Sequence, residues 1–202
     1  MVRRCTSASP CRSPSIKPGC CRKCKAVESR MRRPEDWFAP DNDRLAHIQQ
    51  VIRTAQAIEA RRSFAGRLIA AATYHDIGYA PSLATTGFHP VDGAETARKD
   101  GFDGEIFDAA LYHSGARGLA SRSRSDLMHL YGPACRMTET VLSRALTFCD
   151  NGSGPRGESL SLAARIADIR VRHAGNAAIL DTTEAYLPVF EAIDAEFAPL
   201  LD

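Results

Sequence analysis

Apolar residues recur every three or four positions along most of the chain from residue 41 onward, the spacing of helices with one buried face. This pattern predicts helices at about 41–58, 64–75, 90–99, 103–114, 138–150 and 161–173, and a seventh that begins at Thr182 or Thr183 and is interrupted near Pro188. The segment that ends at His75 is apolar on most faces, which is typical of a central, buried helix. No strand-like alternation or internal repeat is present. We therefore expect one all-α domain of about seven helices over residues 34–202.

The first 33 residues show neither helical nor strand periodicity, and their charge differs from that of the rest of the chain. They carry ten Lys and Arg and one Glu, a net charge of +9, whereas the remaining 169 residues carry −7. We expect residues 1–33 to be a disordered basic extension, or Met31 to be the biological start. Five of the seven cysteines also lie here. The spacing of Cys21 and Cys24, with Cys5 or Cys11, leaves a zinc site open as an alternative, but a second close pair is missing.

The charge of the domain and the length of its apolar runs exclude two classes of partner. An acidic domain is poorly suited to a nucleic-acid polymer, because binding to such polymers depends largely on neutralising phosphates. The longest purely apolar run is 68–72, far below the ~20 residues of a membrane helix. The first residues lack the apolar stretch of a secretory signal. We expect a cytoplasmic protein without a membrane span.

Histidines and aspartates on the predicted helices suggest a metal site. The pair His75-Asp76 ends the most apolar helix, where an ionised carboxylate is costly unless it is paired or bound to a cation. His47 and Asp150 lie at the edges of two other apolar faces. Together these four residues form a two-histidine, two-carboxylate set that suits a divalent transition ion and leaves positions for water and substrate. The alternative for any single histidine is a hydrogen-bonded core residue.

The order of His47, then His75-Asp76, then Asp150 on helices resembles the HD domain of metal-dependent phosphohydrolases, over about Leu45 to Arg170. The sequence His75-Asp-Ile-Gly78 is similar to the central signature of that family, and small bacterial HD-domain proteins are the nearest likeness. The resemblance implies a helical HD bundle in which these four residues bind a first ion. It also implies that Asp76 bridges two ions if a second one binds.

Two further histidine motifs extend the resemblance. The sequence Gly87-Phe-His89-Pro90-Val-Asp-Gly93 and the sequence Tyr112-His113-Ser114 resemble histidine elements of binuclear members. The resemblance implies that His89 and His113 are ligands of a second metal ion or contacts to phosphate. In a mononuclear enzyme both would instead be core histidines. The Gly-Tyr-Pro motif of the cyclic-dinucleotide branch is absent, so hydrolysis of cyclic dinucleotides is not expected.

The resemblance implies a hydrolase of a small, nucleotide-like phosphate mono- or diester that uses water activated by one or two divalent ions (Mn, Fe, Co, Ni or Mg). We predict Asp76, His113 and Arg117 as catalytic residues, and Arg44 as a further candidate for offsetting phosphoryl charge. Two alternatives remain: a regulatory metal-binding module without turnover, and a di-iron oxygenase on the same scaffold. Three other residues are given structural interpretations: His129 and His173 are interpreted as surface residues and Cys149 as a core residue.

Overall fold

The computed structural model describes residue 27 and residues 30–102, 104–132 and 140–201. Within these residues it contains eight α-helices, short 3₁₀ turns and no strand, which confirms the all-α prediction. The helices are α1 (Asp43–Arg61), α2 (Arg67–Tyr74), α3 (His89–Lys99), α4 (Glu105–Tyr112), α5 (Ala116–Ser123), α6 (Val141–Asn151), α7 (Leu162–Arg172) and α8 (Ala177–Phe197). Among the described residues, no helix combines the length and apolar character that a bilayer crossing requires.

Local sequence signals fix several helix starts. Asn42 caps α1, since its side chain accepts a hydrogen bond from the backbone N–H of Arg44 at 2.8 Å. Ser161 caps α7 as predicted, by accepting from the backbone N–H of Ala164 at 3.2 Å. Pro90 lies in the first turn of α3, where its missing N–H costs nothing.

The structure differs from the predicted helices in three places. Helix α5 lies in a stretch predicted to be irregular, because its buried positions are small residues such as Ala116 and Ala120 that produce little apolar signal. Helix α8 begins at Ala177, so Thr182 lies inside it and donates to the carbonyl four residues earlier. Helix α8 also continues through Pro188. Its buried Phe190, Ile193 and Phe197 hold the C-terminal part of this helix in the core.

Helix α2 is the centre of the bundle, as its apolar character predicted. Leu68, Ala70, Ala71 and Ala72 are fully buried, and α1, α4 and α6 all pack against the helix. Alanines keep these neighbours close. The residues that directly follow α2, His75 and Asp76, therefore lie in the middle of the domain.

A close backbone contact fixes α3 against the end of α2. A Cβ atom on Gly78 would lie 2.3 Å from the carbonyl oxygen of His89, and one on Gly93 would lie 2.4 Å from the carbonyl oxygen of Tyr74. Only glycine permits such an approach. The contact brings the first residue of α3 beside the residues that follow α2.

Residues that precede the predicted domain boundary at residue 34 contact the helical bundle. Val27 belongs to the hydrophobic core. The guanidinium of Arg30 donates to the carbonyl of Gly101 at 3.0 Å, and Arg32 pairs with Asp100 at 2.8 Å. These contacts tie residues before 34 to the domain, which a reading of composition could not detect. The zinc alternative falls outside the described residues, as does most of the segment 1–33 that was predicted to be disordered.

We predict that Gly93→Ala lowers the free energy of unfolding by about 1–3 kcal/mol, because its new Cβ would meet backbone that has no room to move. For a domain of this size, each kcal/mol lowers Tm by about 2–4 °C, which circular dichroism would measure. Gly175→Ala is the control, since a Cβ there meets open space and should change stability by less than about 0.5 kcal/mol. Equal Tm values for the two variants would contradict the close-contact argument.

Candidate metal centre

Six side chains from five parts of the fold converge at the end of α2. The structure brings together all six residues predicted as metal ligands. His47 comes from α1, His75 and Asp76 follow α2, His89 opens α3, His113 follows α4 and Asp150 lies near the end of α6. All are buried except His89, whose side chain is 17% exposed. The cluster is thus almost closed to solvent, with one side facing outward.

One half of the cluster consists of His47, His75 and Asp150. The Nε2 atom of His47 lies 3.1 Å from Oδ1 of Asp150 and 3.4 Å from Nε2 of His75. The Nε2 atom of His75 lies 3.9 Å from the same Asp150 oxygen. These three ligand atoms lie close enough together to hold a single ion.

Asp76 connects this half to the other. Its Oδ2 atom lies 3.5 Å from Nε2 of His47 and 3.7 Å from Nε2 of His75. Its Oδ1 atom lies 3.2 Å from Nε2 of His89 and 3.7 Å from Nε2 of His113. Each carboxylate oxygen therefore faces a different pair of imidazoles, and Asp76, His89 and His113 form a second potential ligand set.

Backbone carbonyls orient three of the histidines. The Nδ1–H groups of His47, His75 and His113 each donate to a carbonyl oxygen. The acceptors are Gly154, Ala72 and Ala110, at 3.0, 2.8 and 2.6 Å. A proton held at Nδ1 leaves Nε2 as the free lone pair that points into the cluster, as in metal-binding histidines generally. The donor set therefore fits divalent ions.

Burial and charge set the protonation states that a metal ion requires. Burial lowers the pKa of His75 to about 4 and that of His89 to about 3, so both imidazoles are neutral near pH 7. Burial opposes the ionised form of Asp76 and Asp150. The charge of Arg44 beside Asp76 and the interactions of Asp150 with His47 and its neighbours outweigh burial, and hold the pKa of both carboxyls well below the usual range. Ionised carboxylates beside neutral imidazoles are the ligand forms that bind cations.

Arg44 and Tyr79 form the rim of the cluster. The guanidinium of Arg44 donates a hydrogen bond to Oδ2 of Asp76 and lies 4.0 Å from the centre of the Tyr79 ring. The same ring stacks on His89, with centroids 4.0 Å apart and planes within 15°. Tyr79 thereby packs against both the arginine beside Asp76 and the most exposed histidine of the cluster.

Asp92 supports the site without contributing a ligand, and sequence reasoning missed it. This buried carboxylate accepts hydrogen bonds from the backbone N–H groups of Thr86 and Gly87, at 2.9 and 3.0 Å, and from the Thr86 hydroxyl at 2.9 Å. These bonds hold the turn that leads into His89. The sequence offered one signal for this role: Asp92 lies three residues after His89, about one helical turn, so the two side chains lie on the same side of the helix.

Ser114 is a second supporting residue that the sequence did not identify. Its hydroxyl donates to Oδ2 of Asp150, and its backbone has φ 47° and ψ 34°, a left-handed conformation unusual for a residue other than glycine. This turn lets the His113 side chain point into the cluster while the Ser114 hydroxyl contacts Asp150.

A cleft of about 200 Å³ opens onto the cluster and is closed on its outer side by α7 and the start of α8. It is lined by Arg44 and Tyr79, as well as by residues that sequence reasoning did not select. These are Arg165, Ile169, Arg172, His173, Ile179, Thr182 and Thr183. His173 is half-buried and lines this cleft, whereas His129 is exposed and Cys149 buried, as predicted.

Arg117 does not lie in this cleft. Its Nε–H donates to the carbonyl oxygen of Gly132 at 3.1 Å, and it is not among the residues that line the cavity. Arg44, one helical turn before His47, is the arginine that the structure brings to the ligands. On α5, Ala116 and Leu119 line the cleft whereas Arg117 lies on another face of the helix, which spacing along the chain does not reveal.

The fold and ligand geometry define an all-helical protein with a buried His/Asp centre compatible with divalent metal binding. The sequence model of the HD domain matches residues 44–169, more than half of the chain. The chain therefore belongs to the HD-domain superfamily of metal-dependent phosphohydrolases. Searches of curated proteins and of solved structures gave no match.

We expect Asp92→Asn to lower the free energy of unfolding by about 1–3 kcal/mol, because an amide NH₂ would face backbone N–H groups and leave them unpaired. The affinity for Mn²⁺ should fall by about 10- to 100-fold, since the turn that places His89 loosens. Urea unfolding and calorimetric titration would measure the two effects. Glu95→Gln is the matched control on the same helix, where the side chain is exposed and paired with Arg98. Wild-type Mn²⁺ affinity in Asp92→Asn would disprove the positioning role.

Proposed function

We propose that this protein is a metal-dependent hydrolase of a small phosphate ester and that its site holds two divalent ions. A single observation carries the proposal: the two oxygens of Asp76 face two different pairs of histidines. A carboxylate placed in this way serves as the shared ligand of an ion pair. Membership of the HD superfamily supports the same reaction class.

The residues divide into two ligand sets around Asp76. His47, His75 and Asp150 complete the first set, and His89 and His113 complete the second. Four imidazoles and two carboxylates suit Mn, Fe, Co or Ni better than Mg, which prefers oxygen ligands and retains its waters. Each set leaves coordination positions for water and substrate.

Divalent ions bound here would supply Lewis acidity for the phosphoryl oxygens and would lower the pKa of the attacking water. The protein's own groups position the substrate. Arg44, held over Tyr79 beside Asp76, contacts phosphoryl oxygens, and its planar guanidinium matches their geometry. Attack forms a bond from the water oxygen to phosphorus while the ester P–O bond breaks, which yields an alcohol and a phosphate product.

The size and lining of the cleft favour a small substrate. A cleft of about 200 Å³ suits a small ester rather than a polymer. The apolar side chains of Leu119, Ile169 and Ile179 line the same cleft and could contact a sugar or base. A nucleotide-like ester fits this combination, with part of the molecule extending through the opening.

We predict that Asp76→Asn removes metal and activity together. Wild-type protein loaded with Mn²⁺ should contain about two ions per chain, and the variant should lose at least one. Hydrolysis should fall by about 100-fold or more, because changes to residues that merely support a ligand already cost about 10- to 100-fold. Elemental analysis and a screen of nucleotides and p-nitrophenyl mono- and diesters measure both effects. Asp126→Asn is the control, since this exposed carboxylate pairs with Arg124 outside the cleft.

A second variant tests the number of ions. His89→Gln should retain one ion, because His47, His75 and Asp150 remain intact. One ion in the wild type would contradict the two-ion site. Two ions without cleavage of any ester would favour the binding module, or the oxygenase if the iron-loaded protein consumed O₂.

A further inference from the structure

We infer that Arg165 on α7 binds a second phosphate group of the substrate, one that is not cleaved. The inference rests on the proposed function and narrows its substrate to esters that carry two phosphates. Arg165 lines the cleft onto which the ligand cluster opens, but no hydrogen bond or ion pair joins it to any of the six ligands among the described residues.

The hydrogen bonding of Arg165 is incomplete. Its side chain is only 12% exposed, and its Nη1 donates to Oδ2 of Asp168 at 3.2 Å. Its Nε–H is fully buried and has no partner among the described residues. A buried guanidinium N–H without an acceptor is costly and uncommon. Because Arg165 also lines the cleft, an anionic oxygen bound there would give its guanidinium a further acceptor.

The surroundings of Arg165 are positively charged. The guanidinium of Arg172 also pairs with Asp168, at 2.7 Å from its Oδ2 atom. Two guanidinium groups therefore share one carboxylate. His173 lines the cleft next to them, and burial together with the charges of Arg172 and Arg165 lowers its pKa. A region with more cationic than anionic groups attracts an anion.

The cleft is therefore lined by cations from two elements, Arg44 on α1 and the pair Arg165 and Arg172 on α7. Arg44 hydrogen-bonds to Asp76 at the ligand cluster, where the reacting phosphate is proposed to bind. Arg165 and Arg172 belong to α7, the outer wall. One phosphate would engage the cluster, and a second phosphate on the same molecule would reach α7. Two guanidinium groups and an imidazole favour phosphate over carboxylate, because phosphate offers more charge and more acceptor oxygens.

The test uses the full chain loaded with Mn²⁺ and two probes that water does not cleave. Methylenediphosphonate carries two phosphonates and methylphosphonate carries one. Calorimetry should show that Arg165→Gln weakens binding of methylenediphosphonate by about 10- to 100-fold, the value of one charge-assisted hydrogen bond. Its affinity for methylphosphonate should stay within about twofold.

Arg170→Gln is the matched control. Arg170 lies on the same helix and pairs with Glu184 on α8, and both of these side chains are about half exposed. This change removes the same charge without entering the cleft, so both affinities should remain at wild-type values. Arg165→Lys should recover part of the loss, because it restores charge without the planar fork. Each variant is compared with the wild type only if its Tm and its metal content are unchanged. If Arg165→Gln is less stable than the wild type, the affinities of Arg165→Lys are compared with those of the wild type instead.

Equal weakening of both probes, or no weakening of methylenediphosphonate, would overturn the inference. Phosphonoacetate, which replaces one phosphonate by a carboxylate, should bind less tightly than methylenediphosphonate; equal binding would overturn the preference for phosphate.

With adenosine 5′-monophosphate and adenosine 3′,5′-bisphosphate as substrates, Arg165→Gln should raise KM for the bisphosphate alone and leave kcat within about twofold. Because the binding measurements require no turnover, failure of the inference can be distinguished from failure of the hydrolase proposal.

Discussion

The buried carboxylate of Asp76 is the constraint on which the rest of the site depends. An ionised carboxylate inside a protein is costly unless charges and hydrogen bonds compensate for it. Here Arg44 and four imidazoles surround Asp76, and each of its oxygens faces two of the imidazoles. The same arrangement that keeps the group ionised also makes it attractive to cations. Stability of the folded chain and capacity for metal are thus linked through one side chain.

The fold serves this arrangement by bringing backbones unusually close together. The alanines of α2 let three helices approach it, and Gly78 and Gly93 let α3 lie directly against the turn after α2. Backbone carbonyls, which cannot change rotamer, then orient three of the imidazoles. A centre held by backbone contacts is preorganised, so little conformational entropy remains to be lost when an ion or a substrate binds.

The HD-domain match covers the inner wall of the cleft completely and the outer wall only in part. The inner wall consists of the ligand cluster, and every one of its residues lies within the 44–169 segment that matches the HD domain. The outer wall continues past that segment with Arg172, His173 and Ile179. In our proposal the inner wall performs the phosphoryl chemistry and the outer wall selects the substrate. Separate walls allow one reaction to be combined with different specificities.

The sequence by itself determined the helical class, the central position of α2 and the set of six candidate ligands, because hydrophobic period and the order of His and Asp residues are local properties. It could not determine which arginine reaches the ligands, since Arg44 and Arg117 both lie near predicted ligands along the chain. It also overlooked Arg165 and the place of His173 in the cleft. Only the tertiary structure decided these points, because the position of a side chain in a cleft depends on how helices cross. For α3 that crossing is set by the glycine contacts at Gly78 and Gly93, and no periodicity records them.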